Sequence, residues 1–370
     1  MNTNDKGVVD RNTVQVMLEL VRSSIQETMP RISPDMVIDW DGLRKKSAEA
    51  GVLTWVWDSV TKLPEGQQLS RFQKVGWGLS AQTSIDRYYK QKEVLKDLIE
   101  VCRQNNIRLM LLKGIGLSEM YPKPELRSSG DLDIFLFDDF EKGNEIFLTD
   151  SPAETDLHVS FDYKGVHVEN HKLFVYPNTK TKKAVCAYLM SRLESVELKS
   201  DGYYVLSSID NFIYLIMHAM NHVNFNEESP FLGMRNIIDL TMYLRHYHEI
   251  WNPGEVKALI QKMKLGKPYD FVVYLAEIYW EEPLAEYHLG RIRRRDAIAI
   301  HEMFWEKGFC EEISNNDSWI KQLYQRLHRY GRLMRIYKYM PKHKDSFIYS
   351  VIRDQLRSMG FRRKVNRKQK

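Results

Sequence analysis

Two acidic residues separated by a single position, Asp131 and Asp133, stand where the chain leaves a glycine-containing loop and enters an apolar run. Side chains of a β-strand alternate between its two faces, so both carboxylates should point to the same side. Their repulsion at the head of a buried strand would be costly unless a cation offsets it. Carboxylate oxygens suit Mg²⁺ or Mn²⁺, and Mg²⁺ in proteins commonly bridges to phosphate oxygens. The pair therefore predicts a divalent-metal site.

A second pair of potential ligands, His218 and His222, has the four-residue spacing at which two histidines on a helix can share a metal ion. At 100° per residue, both lie opposite the apolar stripe that Ile209, Ile213 and Ile216 form. The glutamate of a HExxH motif is missing, and no third ligand lies nearby. We expect these histidines to face an active-site cleft or solvent rather than to hold zinc.

Other features of the sequence exclude several classes of protein. Gly114 and Gly116 lack the third glycine and the later acid of a dinucleotide-binding fingerprint. The three cysteines (Cys102, Cys186 and Cys310) are too widely spaced for a disulfide framework or a zinc motif, as is typical of a reducing compartment. The sequence has no signal-peptide pattern and no run of about 18 apolar residues that would span a membrane. We expect a cytoplasmic protein.

Hydrophobic periodicity predicts the elements that position the acidic pair. Residues 9–100 have the apolar spacing of helices, and the chain is helical again from Ser208. Between these regions, 107–113 and 131–137 are predicted to be short buried strands, and 157–168 a β-hairpin. This order predicts an α+β fold in which a small mixed β-sheet is flanked by N-terminal and C-terminal helical regions. The predicted domains are a helical region (1–100), an α/β core (101–205) and a C-terminal helical region with a basic tail (206–370).

Positive charge is concentrated at the C-terminus. The net charge of the chain is +5, and residues 321–370 contain 16 lysines and arginines against two acidic residues. Such a segment indicates an anionic partner: a nucleic acid, an anionic membrane surface or an acidic face of the protein itself. The alternative is a solvated helical face.

The segment LMLLKGIGLSEMYPKPELRSSGDLDIFLF, residues 109–137, resembles the signature of a family of bacterial nucleotidyltransferases in the DNA polymerase β-like superfamily. In that family a Lys-Gly ends the first strand, a Tyr-Pro follows a short helix, and an arginine precedes Gly-Asp-x-Asp. The matching positions are Lys113-Gly114, Tyr121-Pro122, Arg127 and Gly130 to Asp133. The resemblance covers about two-thirds of the chain and fades after about residue 245.

The resemblance implies a third metal ligand on a later strand, and Glu169 is the best candidate. Asp156 and Asp162 are alternatives, and Glu169 could instead be an exposed acid of the hairpin. Without metal, three carboxylates should repel one another. We therefore expect Asp133→Asn to leave the stability of the metal-free protein equal or higher.

The resemblance also implies a phosphate-binding surface formed by Lys113, Gly114, Arg127 and Ser129. Many members of the wider superfamily have Gly-Ser where this chain has Lys113-Gly114. A glycine still permits close approach of backbone to phosphate, and the lysine adds a charge. Alternatively, Lys113 merely extends to solvent at a strand end, and Arg127 pairs with the acidic residues of the Asp-x-Asp pair.

The family's His-x-x-x-His helix is matched by His218 and His222, and a later Arg-x-x-x-Asp by Arg235 and Asp239. The last two are interpreted as an ion pair across one helical turn.

The implied activity is transfer of a nucleoside monophosphate from an NTP to an acceptor hydroxyl, with ATP as the expected NTP and AMP as the transferred group. The acceptor stays open between a sugar, an antibiotic-like molecule, a protein side chain and an RNA end, because fold and chemistry do not fix it. The alternative is a catalytically silent scaffold that binds nucleic acid or an acidic partner through its basic C-terminal segment.

Overall fold

A seven-stranded mixed β-sheet lies at the centre of the described part of the chain and confirms the predicted α+β class. The computed structural model describes residues 3–67, 69–148, 153–222 and 234–305. The helices before the sheet are α1 (Thr3–Ile25), α2 (Trp40–Glu49), α3 (Leu53–Val60) and α4 (Arg71–Gln104). The sheet region contains β1 (Met110–Leu111), β2 (Leu132–Phe135), α5 (Phe140–Phe147), β3 (Ala153–Glu154), β4 (His158–Tyr163), β5 (Val166–His171), α6 (Lys180–Met190), β6 (Glu197–Leu198) and β7 (Tyr204–Val205). The helices after it are α7 (Ser208–His222), α8 (Met234–Tyr247), α9 (Pro253–Lys262), α10 (Gly266–Trp280) and α11 (Arg294–Trp305). None of the described helices is long and apolar enough to cross a bilayer.

Local sequence signals set the ends of the 34-residue helix α4. The Ser70 side chain accepts a hydrogen bond from the Gln73 backbone, and the Gln73 side chain accepts one from the Ser70 backbone, so both orphan donors are satisfied. At the other end, Asn106 has a φ of 54°, which stops the helix just before the first strand.

The strand order is β3-β4-β5-β2-β1-β7-β6. β2 and β5 run parallel, and the predicted hairpin joins β4 to β5. Its turn residues, Lys164 and Gly165, have φ values of 53° and 75°, as a two-residue turn between twisted strands requires.

The two faces of β2 contact different helices. Leu132 and Ile134 belong to the hydrophobic cluster that contains residues of α4. Phe135 belongs to the larger cluster and stacks on Phe174, which contacts Tyr214 of α7. By strand alternation, the second acid of the Asp pair projects toward the α7 side of the sheet.

The strands are shorter than predicted, and part of the sheet was missed. Of 107–113 only Met110–Leu111 is a strand, and the following turn, Gly114–Met120, is a 3₁₀ helix. Sequence reasoning assigned neither α6 nor the two-residue strands β6 and β7. A strand of two residues has no alternation to detect, and β7 exists because it pairs with β1 across the fold.

Candidate active site

The three predicted metal-binding carboxylates lie together at one place on the sheet. β2 and β5 run parallel, with Asp133 and Glu169 directly paired in the register. One carboxylate oxygen from each of Asp131, Asp133 and Glu169 lies within 4.8 Å of the others. The side chain of Asp133 is fully buried, whereas those of Asp131 and Glu169 are 29% and 18% exposed. Solvent can therefore reach the cluster at Asp131 and Glu169 but not at Asp133.

The two oxygens of Asp133 have different surroundings. Oδ1 accepts hydrogen bonds from Lys113 Nζ at 2.7 Å and from His171 Nε2 at 3.0 Å. Oδ2 is buried and has no hydrogen-bond partner in the described chain. Burial by itself would raise the pKa of Asp133, but the Lys113 charge and the His171 hydrogen bond outweigh it and hold this pKa well below its usual range. Asp133 is therefore ionised, with one oxygen held and the other free to bind a ligand.

A divalent ion fits this donor set. Burial, followed by the negative charge of Asp133, raises the pKa of Asp131 above its usual value, so the ionised form of Asp131 is disfavoured without an added cation. All three donors are carboxylate oxygens, the ligands that Mg²⁺ and Mn²⁺ prefer. Metal–oxygen bonds of about 2.0–2.1 Å allow oxygens within the observed spacing to share one ion or two adjacent ions.

Lys113 lies inside the cluster rather than extending to solvent. Its Nζ is 2.7 Å from Asp133 and 3.8 Å from Asp131. Burial would lower the pKa of Lys113, but the two acidic neighbours outweigh burial and raise it, so the lysine stays charged. The metal-free cluster thus has a cation of its own.

Gly114 brings the backbone close to the acidic residues. Its φ is +64°, a conformation that L side chains rarely adopt. A Cβ at this position would lie 2.9 Å from Ser129 Oγ and 3.4 Å from the Asp131 carbonyl oxygen. Ser129 Oγ in turn donates a hydrogen bond to that carbonyl at 3.0 Å. Only glycine fits without displacing the segment that carries Asp131.

Arg127 is buried behind the site and bound to α8. Its Nε and Nη2 donate to the two carboxylate oxygens of Asp239, at 3.0 and 2.7 Å, and the Tyr121 hydroxyl donates to Asp239 at 2.8 Å. The predicted ion pair between Arg235 and Asp239 is therefore wrong: Asp239 binds Arg127, and Arg235 Nη1 donates to the Ser128 carbonyl at 3.2 Å. The link spans 112 residues, so helical spacing could not reveal it.

Two further histidines adjoin Glu169. In the register of the hairpin His158 pairs with His171, and their Nε2 atoms lie 3.6 and 3.4 Å from Glu169 carboxylate oxygens. Burial would lower the pKa of His171, but its hydrogen bonds to Asp133 and Glu169 raise it. The pKa of His158 is lowered, first by burial. Sequence reasoning did not single out this pair, although Glu169 and His171 share a strand face by alternation.

The remaining candidates lie elsewhere or in part outside the described residues. The Asp162 side chain accepts a hydrogen bond from the backbone of Gly165 in the hairpin turn, and Asp156 is exposed; neither belongs to a potential metal cluster of the described residues. His218 is half-buried, 6.1 Å from the Tyr214 ring. Burial, and then the charges of the carboxylate cluster, raise the pKa of Tyr214, so this face of α7 lies toward the site. The side chain of His222 and the basic segment 321–370 lie outside the described residues.

Comparison with protein-family models matches residues 37–281 to the family described as "Uncharacterised nucleotidyltransferase". The match includes every element from α2 to α10, and so all residues of the carboxylate cluster. Comparisons with curated proteins and with solved structures gave no match.

Proposed function

Because the chain belongs to this family of nucleotidyltransferases, we propose that it transfers AMP from ATP to a hydroxyl group of an acceptor. The observation that carries the proposal is the group of three carboxylates from Asp131, Asp133 and Glu169, in which Asp133 also has a buried oxygen, Oδ2, without a hydrogen-bond partner among the described residues. A buried carboxylate oxygen without a partner is costly unless a ligand satisfies it.

In the proposed reaction the acceptor hydroxyl gives up its proton to solvent and its oxygen forms a bond to the α-phosphorus. Pyrophosphate leaves with the electrons of the broken bond. Asp131, Asp133 and Glu169 are the residues that would hold Mg²⁺ or Mn²⁺. When bound, such ions lower the pKa of the attacking hydroxyl and neutralise charge on the leaving group. In phosphoryl-type transfer the protein mainly positions the groups and stabilises charge.

The other predicted residues serve the phosphates in two ways. Lys113 and the backbone at Gly114 are proposed to contact them directly, because both lie beside the carboxylates. Ser129 contributes from the same segment. Arg127 has its guanidinium bound to Asp239, so we assign it the role of holding the Ser128–Ser129 segment in place.

The test is to incubate the protein with each of the four NTPs, labelled at the α-phosphate, and Mg²⁺ or Mn²⁺, with cell extract as the source of acceptor. We expect a labelled acceptor with ATP that disappears for Asp133→Asn. Asp138→Asn is the matched control, because Asp138 is exposed and lies just beyond the same strand. No labelled acceptor with any NTP would contradict the proposal. Nucleic-acid binding that weakens steeply with salt would then favour the scaffold alternative.

A further inference from the structure

Arg235 is a cation beside the candidate site with no anionic partner among the described residues. It lies in the first turn of α8, and its Nη1 donates to the Ser128 carbonyl, three residues before Asp131. Three residues span at most about 10 Å, so the guanidinium lies within reach of a ligand bound at the carboxylates. Its charge also reaches Asp131, whose pKa it lowers against the stronger opposing effects there.

The guanidinium of Arg235 makes no ion pair within the described chain, although the charges of Asp239 and Asp131 act on it from a longer distance. No carboxylate of the described chain lies within ion-pair distance of it, and its Nε is buried without a hydrogen-bond partner. Asp239, one turn along the helix, is already bound by Arg127 and Tyr121. Arg127 is itself close, since its Nη1 lies 3.4 Å from the same Ser128 carbonyl. Of these two guanidinium groups, only that of Arg127 contacts the buried carboxylate of Asp239.

A half-buried charge that makes no ion pair lowers stability, and an anionic ligand would offset this cost. The planar guanidinium has five N–H donors and binds phosphate through two parallel hydrogen bonds. Arg235 makes one hydrogen bond, to the Ser128 carbonyl, whereas Arg127, to which the sequence motif points, already makes a two-pronged ion pair with Asp239. A polyphosphate has the negative charge and the paired oxygen atoms that such a guanidinium binds.

We propose that Arg235 binds the β- and γ-phosphates of the nucleotide, the part that leaves as pyrophosphate. This inference rests on the proposed function and identifies the residue that recognises a triphosphate rather than a monophosphate. Arg235 belongs to α8 of the C-terminal helical region and not to the sheet region. Binding of the triphosphate would therefore need α8 in its observed position.

The experiment measures the affinities of Mg²⁺-ATP, Mg²⁺-ADP and Mg²⁺-AMP by titration calorimetry for the full-length protein and two variants. For Arg235→Gln we expect ATP affinity to fall at least about tenfold, the effect of losing hydrogen bonds to a charged group, while AMP affinity stays within about twofold. Arg245→Gln is the matched control, because Arg245 lies on the same helix and is paired with Glu282 at 3.3 Å. It should keep the ATP preference of the unmodified protein.

Thermal unfolding without nucleotide separates binding from a structural role. If Arg235 serves the ligand, Arg235→Gln leaves the melting temperature of the free protein equal or higher, because a buried unpaired charge is removed. If Arg235 only holds the Ser128 carbonyl, the variant melts lower and loses ATP and AMP affinity together, which would overturn the assignment.

The two proposals fail in different ways. An unmodified protein that shows neither label transfer nor tighter binding of ATP than of AMP contradicts the proposed function. An unmodified protein with both properties, and an Arg235→Gln variant that retains them, contradicts only the role of Arg235.

Discussion

His171 Nε2 lies 3.0 Å from Asp133 Oδ1, on the oxygen opposite the one that is free. Because a carboxylate only accepts, the proton of this hydrogen bond is on Nε2. Together with Lys113, the histidine fixes the rotation of the carboxylate, and Oδ2 is left without a hydrogen-bond partner among the described residues. We therefore expect His171 to act as a positioning residue for Asp133, a proposed metal ligand.

Replacing His171 should weaken metal binding while leaving all three carboxylates in place. We expect His171→Ala to raise the Mg²⁺ concentration needed for half-maximal activity by about 10–100-fold, as is usual when the partner of a metal ligand is lost. His167→Ala is the control, because His167 lies on the same strand with an exposed side chain. An equal Mg²⁺ requirement in both variants would mean that His171 does not position Asp133.

Asp131 and Asp133 should respond in opposite ways to loss of charge in the metal-free protein. Asp133 is bound to buried Lys113, so Asp133→Asn leaves that lysine without its main partner and lowers stability. This reverses the expectation from the sequence, which considered repulsion among the carboxylates and did not place Lys113 beside Asp133. Asp131 has a raised pKa, so at neutral pH its ionised form opposes folding. Asp131→Asn should therefore keep or raise the melting temperature.

The measurement is thermal unfolding of the two variants with and without Mg²⁺ and ATP. Both variants should lose most of the ligand-induced rise in melting temperature. For one site, this rise corresponds to a gain in unfolding free energy of about 2.7 kcal/mol at a hundredfold excess of ligand over Kd. If Asp131→Asn destabilises the free protein as much as Asp133→Asn does, repulsion among the carboxylates is not the dominant effect.

Replacing one partner of the ion pair between Arg127 and Asp239 should lower stability strongly, whereas replacing both partners should lower it much less. Both side chains are 4% exposed, so Asp239→Asn leaves a buried guanidinium unpaired and should cost about 3–5 kcal/mol of unfolding free energy. Replacing both residues by apolar ones, Arg127→Met with Asp239→Leu, should recover most of that loss. Urea unfolding measures the three proteins. A double variant no more stable than Asp239→Asn would contradict this account.

Asp58 should make stability depend on pH in the acidic range. It accepts hydrogen bonds from Ser24 of α1 and from Lys123 of the segment that precedes the site, and it pairs with Lys62. Burial raises the pKa of Asp58, but the two lysines outweigh burial and lower it.

With a folded pKa below the unfolded one, the contribution of Asp58 is present above the unfolded value, about pH 3.9, and is lost as pH falls through the folded value. Asp58→Asn should therefore lower the unfolding free energy by roughly 1 kcal/mol near pH 7 and by less near pH 3, because pH 3 lies below the unfolded value. Urea unfolding at the two pH values measures this difference. A difference between the two proteins that is the same at both pH values would rule out Asp58 as the titrating group.

Local sequence determined much of the sheet and the identity of the carboxylates. The alternation of Asp131 and Asp133 with buried residues placed both acids on one side, and the hairpin was readable from its turn at Lys164 and Gly165. These features depend on neighbours within a few residues, where strand period and turn conformation dominate. The resemblance to a family added Glu169, on a strand that the spacing by itself did not connect to the acidic pair.

Tertiary structure decided which charges meet. Helical spacing predicted an ion pair between Arg235 and Asp239. In the structure Asp239 binds Arg127, and Arg235 donates a hydrogen bond to the Ser128 carbonyl oxygen. The partner of Lys113 was likewise decided by the fold. Its position at a strand end is compatible with exposure to solvent, but in the structure its Nζ contacts Asp133. The energy of a charge depends on burial and on partners far along the chain, and neither is encoded in local periodicity.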